Sequence, residues 1–95
     1  MSTATTRHVG IDLQENEENR LVAEAIEADN DDLVIRHLPG LLKLQAPGSI
    51  TINRASVEAL LGRTWETPEF QLAIVSYAGN ISEWDDDRIV ISWKH

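Results

Sequence analysis

The sequence predicts an α+β fold: a β-α-β-β-β-α-β-β sandwich of antiparallel hairpins with two main helices. Two Pro-Gly pairs, at residues 39–40 and 47–48, separate short apolar runs in the way that hairpin turns do. Two segments repeat apolar residues at helical spacing, and a charge-free run over residues 72–78 has the composition of a strand. The 95 residues suffice for one modest core, so we expect residues 1–95 to form a single domain.

The first strand and the first helix have clear local signals. Residues 8–13 alternate apolar and polar side chains, which predicts a strand. Asn16 can cap the helix that follows, and two glutamates in its first turn suit the helix dipole. The helix is expected to end near Ala28, because the Asp and Asn residues beyond it compete for backbone hydrogen bonds. Residues 1–6 are expected to form a flexible tail.

Three short strands are predicted between the two helices, over residues 33–38, 41–46 and 49–53. The second helix is expected to begin between residues 53 and 56 and to end before Gly62, a typical residue after a helix C-terminus. Thr67 followed by Pro68 has the pattern of an N-cap with proline in the first turn, so one further helical turn is expected there.

The apolar run over residues 72–78 is predicted to be the central strand. Strict polar alternation is absent from it, so we expect both of its faces to be covered. Composition alone favours ordinary core roles for its two hydroxyl-bearing side chains. Gly79 and Asn80 end the run as a bulge or turn, residues 81–87 are expected to form a loop, and residues 88–93 form the last strand.

The composition excludes several classes of partner and of chemistry. A formal net charge of -8 makes nucleic acids and anionic membranes poor partners, whereas a basic protein surface would suit this chain. The absence of cysteine excludes disulfides, zinc-thiolate sites, iron–sulfur clusters and thiol catalysis, and it fits a reducing cytoplasm. We expect no signal peptide and no membrane-spanning segment, since no apolar run has the required length.

Motifs for catalysis or cofactor binding are not found. His8, His37 and His95 each stand alone, without a second ligand at metal-binding spacing. No glycine-rich phosphate loop or nucleophile motif is present, and residues 85–87 lack the ligand spacing of a calcium loop. We therefore expect no catalytic residue, metal, cofactor or direct small-molecule substrate, and the sequence disfavours an enzyme.

Acidic residues concentrate in two places. Residues 14–32 hold eight acidic side chains, and the predicted loop around Trp84 holds four more. One interpretation is solubility, and the other is an acidic docking face; composition does not choose between them. A large aromatic side chain in an acidic loop is a plausible anchor for a partner, so Trp84 is a candidate contact.

Five segments, taken in order, resemble one known family. They are residues 24–30 of the first helix, residues 57–65 of the second, the apolar strand into residues 79–80, residues 85–87 and the closing residues 91–93. In this order and spacing they resemble the coupling, or effector, proteins of multicomponent bacterial diiron monooxygenases. The similarity is greatest to the regulatory components of phenol hydroxylases.

The resemblance implies the monooxygenase effector-protein fold, with no cofactor and no catalysis of its own. Such proteins bind the diiron hydroxylase component near its active-site entrance, and they raise both turnover and the coupling of electron use to hydroxylation of phenol or another aromatic. The strand that matches residues 73–77 faces the hydroxylase in this family. The expected partner-binding residues are Ala73, Val75, Ser76, Tyr77, Asn80 and Trp84. The alternative function is a stand-alone acidic adaptor or inhibitor that binds some basic protein.

Overall fold

The computed structural model describes residues 8–93, and this part of the chain contains seven strands and three helices. In chain order they are β1 (His8–Gln14), α1 (Glu17–Asp29), β2 (Val34–Leu38), β3 (Leu41–Pro47), β4 (Ser49–Asn53), α2 (Arg54–Leu61), α3 (Glu69–Ala73), β5 (Ile74–Ala78), β6 (Asn80–Trp84) and β7 (Arg88–Ser92). The tail predicted over residues 1–6 lies outside the described residues, as does His95. Among the helices of residues 8–93, none is long and apolar enough to span a bilayer.

The strands form two antiparallel sheets, which confirms the predicted α+β class. One sheet has the order β2-β3-β1-β5 and the other has the order β4-β7-β6. In the first sheet, Ile11 of β1 lies opposite Leu44 of β3, and both side chains are fully buried. In the second sheet, Ile52 of β4 lies opposite Ile89 of β7, again fully buried. Together with the buried face of α1, these strand faces form the apolar core.

Asparagine side chains fix both ends of helix α1. Asn16 is the N-cap, as predicted, and its side chain accepts a hydrogen bond of 2.7 Å from the backbone N–H of Asn19. At the other end, Nδ2 of Asn30 donates to the carbonyls of Ile26 and Thr51, at 2.7 and 2.8 Å. The Asn30 Oδ1 atom accepts from the Thr51 N–H at 3.0 Å. Because Thr51 belongs to β4, Asn30 joins the end of α1 to the second sheet.

Helix α2 follows β4 directly, and it ends at Gly62 as predicted. Gly62 has a φ of 71°, and its N–H donates to the carbonyl of Glu58 at 2.9 Å. The predicted N-cap Thr67 does precede α3, but its hydroxyl does not cap that helix. The Thr67 hydroxyl donates instead to the carbonyl of Asp85, at 2.8 Å, and so joins the start of α3 to the turn after β6.

The prediction of a central strand over residues 72–78 is wrong about where the strand begins and about its place in the sheet. Leu72 and Ala73 belong to α3, and β5 begins only at Ile74. Strand β5 lies at the edge of the first sheet, and four of its five residues are exposed. A charge-free run was expected to be buried on both faces, but an exposed apolar edge has the same composition, and periodicity does not separate the two.

The prediction of a loop over residues 81–87 is also wrong. This range contains most of β6, and only residues 85–87 connect that strand to β7. Strand β6 is the edge of the second sheet, and it carries Ser82 and Glu83 in its middle. These polar residues hide the strand pattern in the sequence. The last strand, predicted over residues 88–93, is confirmed as β7 and is one residue shorter.

Gly79 is the single residue between β5 and β6, which belong to different sheets. Its φ of 136° is a conformation that side chains with a Cβ rarely adopt. A Cβ atom added there would lie 2.9 Å from Cγ2 of Ile91 in the core of the second sheet. Glycine at this position therefore lets the chain cross from one sheet to the other in close contact with β7.

We expect Gly79→Ala to lower the free energy of unfolding by about 1–3 kcal/mol, because backbone strain and the collision with Ile91 act together. Gly48→Ala is the matched control: Gly48 also has a positive φ, of 81°, but no atom lies within 4 Å of its added Cβ. Urea unfolding of both variants would measure the difference. An equal loss in the two variants would contradict a role for the close approach to Ile91.

Candidate docking surface

The exposed apolar surface concentrates in one stretch of the chain. Seven large apolar side chains are exposed within residues 8–93, and four of them lie between residues 72 and 81. These four are Leu72 at 84% exposure, Val75 at 56%, Tyr77 at 47% and Ile81 at 40%. We call residues 69–84, which comprise α3, β5 and β6, the edge segment. Its exposed apolar residues make it the candidate surface for a protein partner.

Strand β5 presents an open edge within this segment. On one side it pairs with β1, where Tyr77 lies opposite Ile11 and Ser76 lies opposite Asp12. Among the described residues, no strand pairs with its other side. The register shifts beside Asp12, so that Val75 has no residue opposite it. Such an irregularity bends a strand and re-aims its side chains, which leaves Val75 exposed beside the ladder.

The two hydroxyl-bearing residues of β5 point in different directions. Ser76 is exposed, and its Oγ donates to Oδ2 of Asp12 at 2.8 Å. Tyr77, opposite the buried Ile11, instead lines a mainly apolar cleft of about 300 Å³. The structure therefore does not bring Ser76 and Tyr77 to one site, although they are neighbours in the sequence.

The apolar cleft lies between α3 and the two edge strands. The side chains that line it are Phe70, Gln71, Ile74, Tyr77, Ile81, Trp84 and Ile91. Phe70 is almost fully buried, and its ring lies 6.4 Å from that of Trp84 in an edge-to-face arrangement. Trp84 therefore forms a half-buried wall of the cleft at the end of β6, and the prediction that it lies in an acidic loop is wrong.

Arg63 holds helix α3 in place from outside the core. Its Nη2 atom lies 2.9 Å from the Glu18 carboxylate of α1 and 3.1 Å from the Glu69 carboxylate of α3. The backbone N–H of Glu66 also donates to Glu69, at 2.9 Å. The hydrogen bonds from Arg63 and from this N–H keep the pKa of Glu69 below its ordinary value. Three separate parts of the chain are thus joined at the start of the edge segment.

Glu58 fixes the loop that leads to α3. Its carboxylate accepts from the backbone N–H of Trp65 at 2.8 Å and from Nε of Arg54 at 3.2 Å. These two donors, the Trp65 N–H first, lower the pKa of Glu58. The Trp65 side chain is itself buried in the core. Sequence reasoning missed Glu58, Arg63 and Asp12. The partners of Asp12, and the Glu18 partner of Arg63, are distant in the chain, so no local motif signals them. The Arg54–Glu58 pair has the i,i+4 spacing of a helical ion pair, and this local signal could have identified Glu58.

The acidic turn after β6 is partly structural. Oδ1 of Asp85 accepts from the backbone N–H groups of Asp87 and Arg88, at 2.8 and 2.9 Å. Those two bonds lower the pKa of Asp85. Nε of Arg88 donates to Glu83 at 2.7 Å, while Asp86 and Asp87 are exposed. Within residues 8–93, no group of three or more His, Cys, Asp or Glu side chains could hold a metal ion.

The six residues predicted as partner contacts all lie in the edge segment. Four of them are exposed: Val75, Ser76, Tyr77 and Asn80. The other two, Ala73 at the end of α3 and Trp84 at the end of β6, are half-buried. The structure brings Tyr77 and Trp84 together at the cleft and places Ser76 beside Asp12.

The lowered pKa of Glu58 makes part of the stability depend on pH. A carboxylate with a depressed pKa stabilises the fold above its ordinary pKa, and this contribution is lost as the pH falls below about 4.5. We expect Glu58→Gln to lower stability at neutral pH, and the difference from the parent protein to shrink in acid. Urea unfolding across this pH range would measure both. Glu24→Gln, on the exposed face of α1, is the control, and a loss that stays constant with pH would contradict the assignment.

Comparison with known proteins gives consistent matches. Residues 7–92 match the model of the MmoB/DmpM family. The chain is 39% identical over 87 residues to the stimulatory component DmpM of phenol 2-monooxygenase from Pseudomonas sp. (strain CF600), covering 92% of this chain and 96% of that protein.

Solved structures agree with this match. A chain in the structure of the phenol hydroxylase–regulatory protein complex has a TM-score of 0.86 at 38% identity, covering 93% of this chain and 100% of that chain. The soluble methane monooxygenase regulatory protein B shares the fold, with a TM-score of 0.73 at 18% identity, over 99% of this chain and 70% of that chain. The resemblance carried by the sequence motifs is therefore confirmed, and the chain belongs to the MmoB/DmpM family.

Proposed function

We propose that this chain is the stimulatory component of a phenol-hydroxylating diiron monooxygenase, and that it binds the hydroxylase through its edge segment. The assignment is supported by the 39% identical stimulatory component of phenol 2-monooxygenase and by the similar chain in a phenol hydroxylase–regulatory protein complex. The observation that carries the docking surface is the open, charge-free strand β5, flanked by exposed Leu72 and Ile81. The chain acts as the regulatory component and not as the catalytic subunit.

A protein with this role works through differential binding. A regulator can change a hydroxylase only by binding one of its conformations more tightly than another. A coupling free energy of about 1–3 kcal/mol changes an equilibrium affinity by about 5- to 150-fold. The net charge of -8 also favours encounter with a basic surface, at a rate that falls as salt is added. This role requires no side chain of the regulator to take part in the hydroxylation chemistry.

Within the edge segment, we propose that the contacts are Val75, Ser76, Tyr77 and Asn80, all exposed. Ala73 and Trp84 are proposed to contribute at the margin, since both are half-buried. The β5 edge can also offer backbone hydrogen-bonding groups to a partner, as edge strands do in many peptide complexes.

We further propose that residues 1–95 act as one effector domain in the cytoplasm. The cysteine-free composition supports this location, because a reducing compartment does not favour structural disulfides. Cell fractionation with an antibody against the chain would test the location directly.

We expect the chain to raise phenol-dependent product formation several-fold when it is added to the hydroxylase and its reductase. The gain is expected to saturate near one effector per hydroxylase active site. Oxygen consumption and product formation, measured together over a titration, would also report coupling. An unchanged rate and unchanged coupling at every ratio would overturn the proposed function and favour an acidic adaptor or inhibitor.

Tyr77→Ala should lower stimulated turnover much more than it lowers stability, because 47% of this side chain is exposed and it borders the cleft. Val34→Ala is the matched control, since Val34 is 57% exposed on β2 at the opposite edge of the same sheet. Titrated stimulation and urea unfolding should be compared for both variants. Equal stimulation by the two would remove Tyr77 from the docking surface.

A further inference from the structure

Asp12 lies at the centre of a polar row that crosses the first sheet. On β1 it lies opposite Lys43 of β3 and opposite Ser76 of β5. Nζ of Lys43 donates to its Oδ1 at 3.2 Å, and Oγ of Ser76 donates to its Oδ2 at 2.8 Å. One carboxylate therefore accepts hydrogen bonds from both neighbouring strands, and one of these strands is the open edge β5.

The bond to Asp12 decides what the Ser76 hydroxyl can still do. A serine hydroxyl carries one proton and two lone pairs, whereas an ionised carboxylate only accepts hydrogen bonds. With its proton directed to Asp12, Oγ of Ser76 can only accept from a third group. Ser76 is exposed, so a group from a partner can reach it. The Oγ atom of Ser76 therefore favours a partner group that donates a hydrogen bond.

The position of this bond on β5 adds to its importance. The backbone register between β1 and β5 shifts next to Asp12, where Val75 has no opposite residue. At such an irregularity the backbone ladder is locally interrupted. The side-chain bond between Ser76 and Asp12 spans the two strands at this point and orients the hydroxyl relative to the sheet.

We propose that Asp12 is a positioning residue for docking, which accepts the hydrogen bond of the Ser76 hydroxyl and so presents Oγ as an acceptor to a donor group of the hydroxylase. The proposal rests on the proposed function, because it takes the hydroxylase as the partner. A lysine, an arginine or a backbone N–H of the hydroxylase would supply the donor. Donors of the first two kinds also match the basic surface that a chain of net charge -8 favours.

A double-mutant cycle tests this role. Asp12→Ala, Ser76→Ala and the double variant should be compared with the parent chain for affinity to the purified hydroxylase, measured by calorimetry. We expect Ser76→Ala to weaken binding about 10-fold and Asp12→Ala about 3-fold, within the range of one net hydrogen bond. The double variant should bind no more weakly than Ser76→Ala, because Asp12 acts only through that hydroxyl.

A purely structural role for Asp12 would give a different pattern. If the bond only held β5 in place, the two single variants would lose equal affinity, and backbone amides of β5 would exchange faster in both. Hydrogen exchange and urea unfolding of every variant therefore accompany the binding data. Lys43→Met is the matched control, because it removes the other partner of Asp12 and leaves Ser76 intact. Its affinity should stay within about twofold of the parent, as expected for a surface ion pair.

The outcomes separate the two proposals. Two results would overturn the positioning role and leave the docking function intact. The first is that Asp12→Ala weakens binding further in the Ser76→Ala background. The second is that the two single variants lose equal affinity and the β5 amides exchange faster in both. No binding of the parent chain to the hydroxylase would overturn the proposed function, and the role of Asp12 with it. The proposal is supported if Ser76→Ala loses more affinity for the hydroxylase than Asp12→Ala does, and if the double variant loses no more affinity than Ser76→Ala alone.

Discussion

The close approach of the chain to itself at Gly79 is the constraint on which the edge segment depends. One residue joins β5, at the edge of one sheet, to β6, at the edge of the other. Its backbone has a φ of 136°, and the space for a Cβ is occupied by Ile91. Because both sheets are edged by consecutive strands, their exposed edge residues lie along one stretch of chain. A longer connection would allow the two edges to move independently.

The buried side of the edge segment explains how its outer side can remain open. Phe70 is buried in the core, and Trp84 packs against its ring. Arg63 joins α3 to α1, and Thr67 joins α3 to the turn after β6. These contacts hold the backbone without using the exposed faces of Val75 or Tyr77. A surface that is ordered before binding loses less conformational entropy when a partner docks, which leaves more of the contact free energy for affinity.

Local signals predicted most of the fold. The Asn16 cap, the Gly62 helix end and the hairpin turn at Pro39-Gly40 depend on neighbouring residues, and all are confirmed. The hairpin turn predicted at Pro47-Gly48 is wrong, because β3 and β4 belong to different sheets. The failures at β5 and β6 share one feature: neither strand strictly alternates apolar and polar residues, which is the pattern that identifies a strand with one buried face. The bond between Asp12 and Ser76 joins residues 64 positions apart, so no local pattern reports it. The resemblance placed all six predicted contacts in the edge segment, whereas the division of these residues between the cleft and the outer face required the structure.

Amide hydrogen exchange of this chain, alone and with saturating hydroxylase, tests the central claim most directly. We expect protection on binding to concentrate in β5 and β6, with the open edge of β5 protected most strongly, while β2 at the opposite edge of the sheet is unchanged. Protection of β2 or of the acidic face of α1, with β5 and β6 unchanged, would contradict the assignment of the docking surface. The comparison needs no substitution, so it is independent of any effect of mutation on folding.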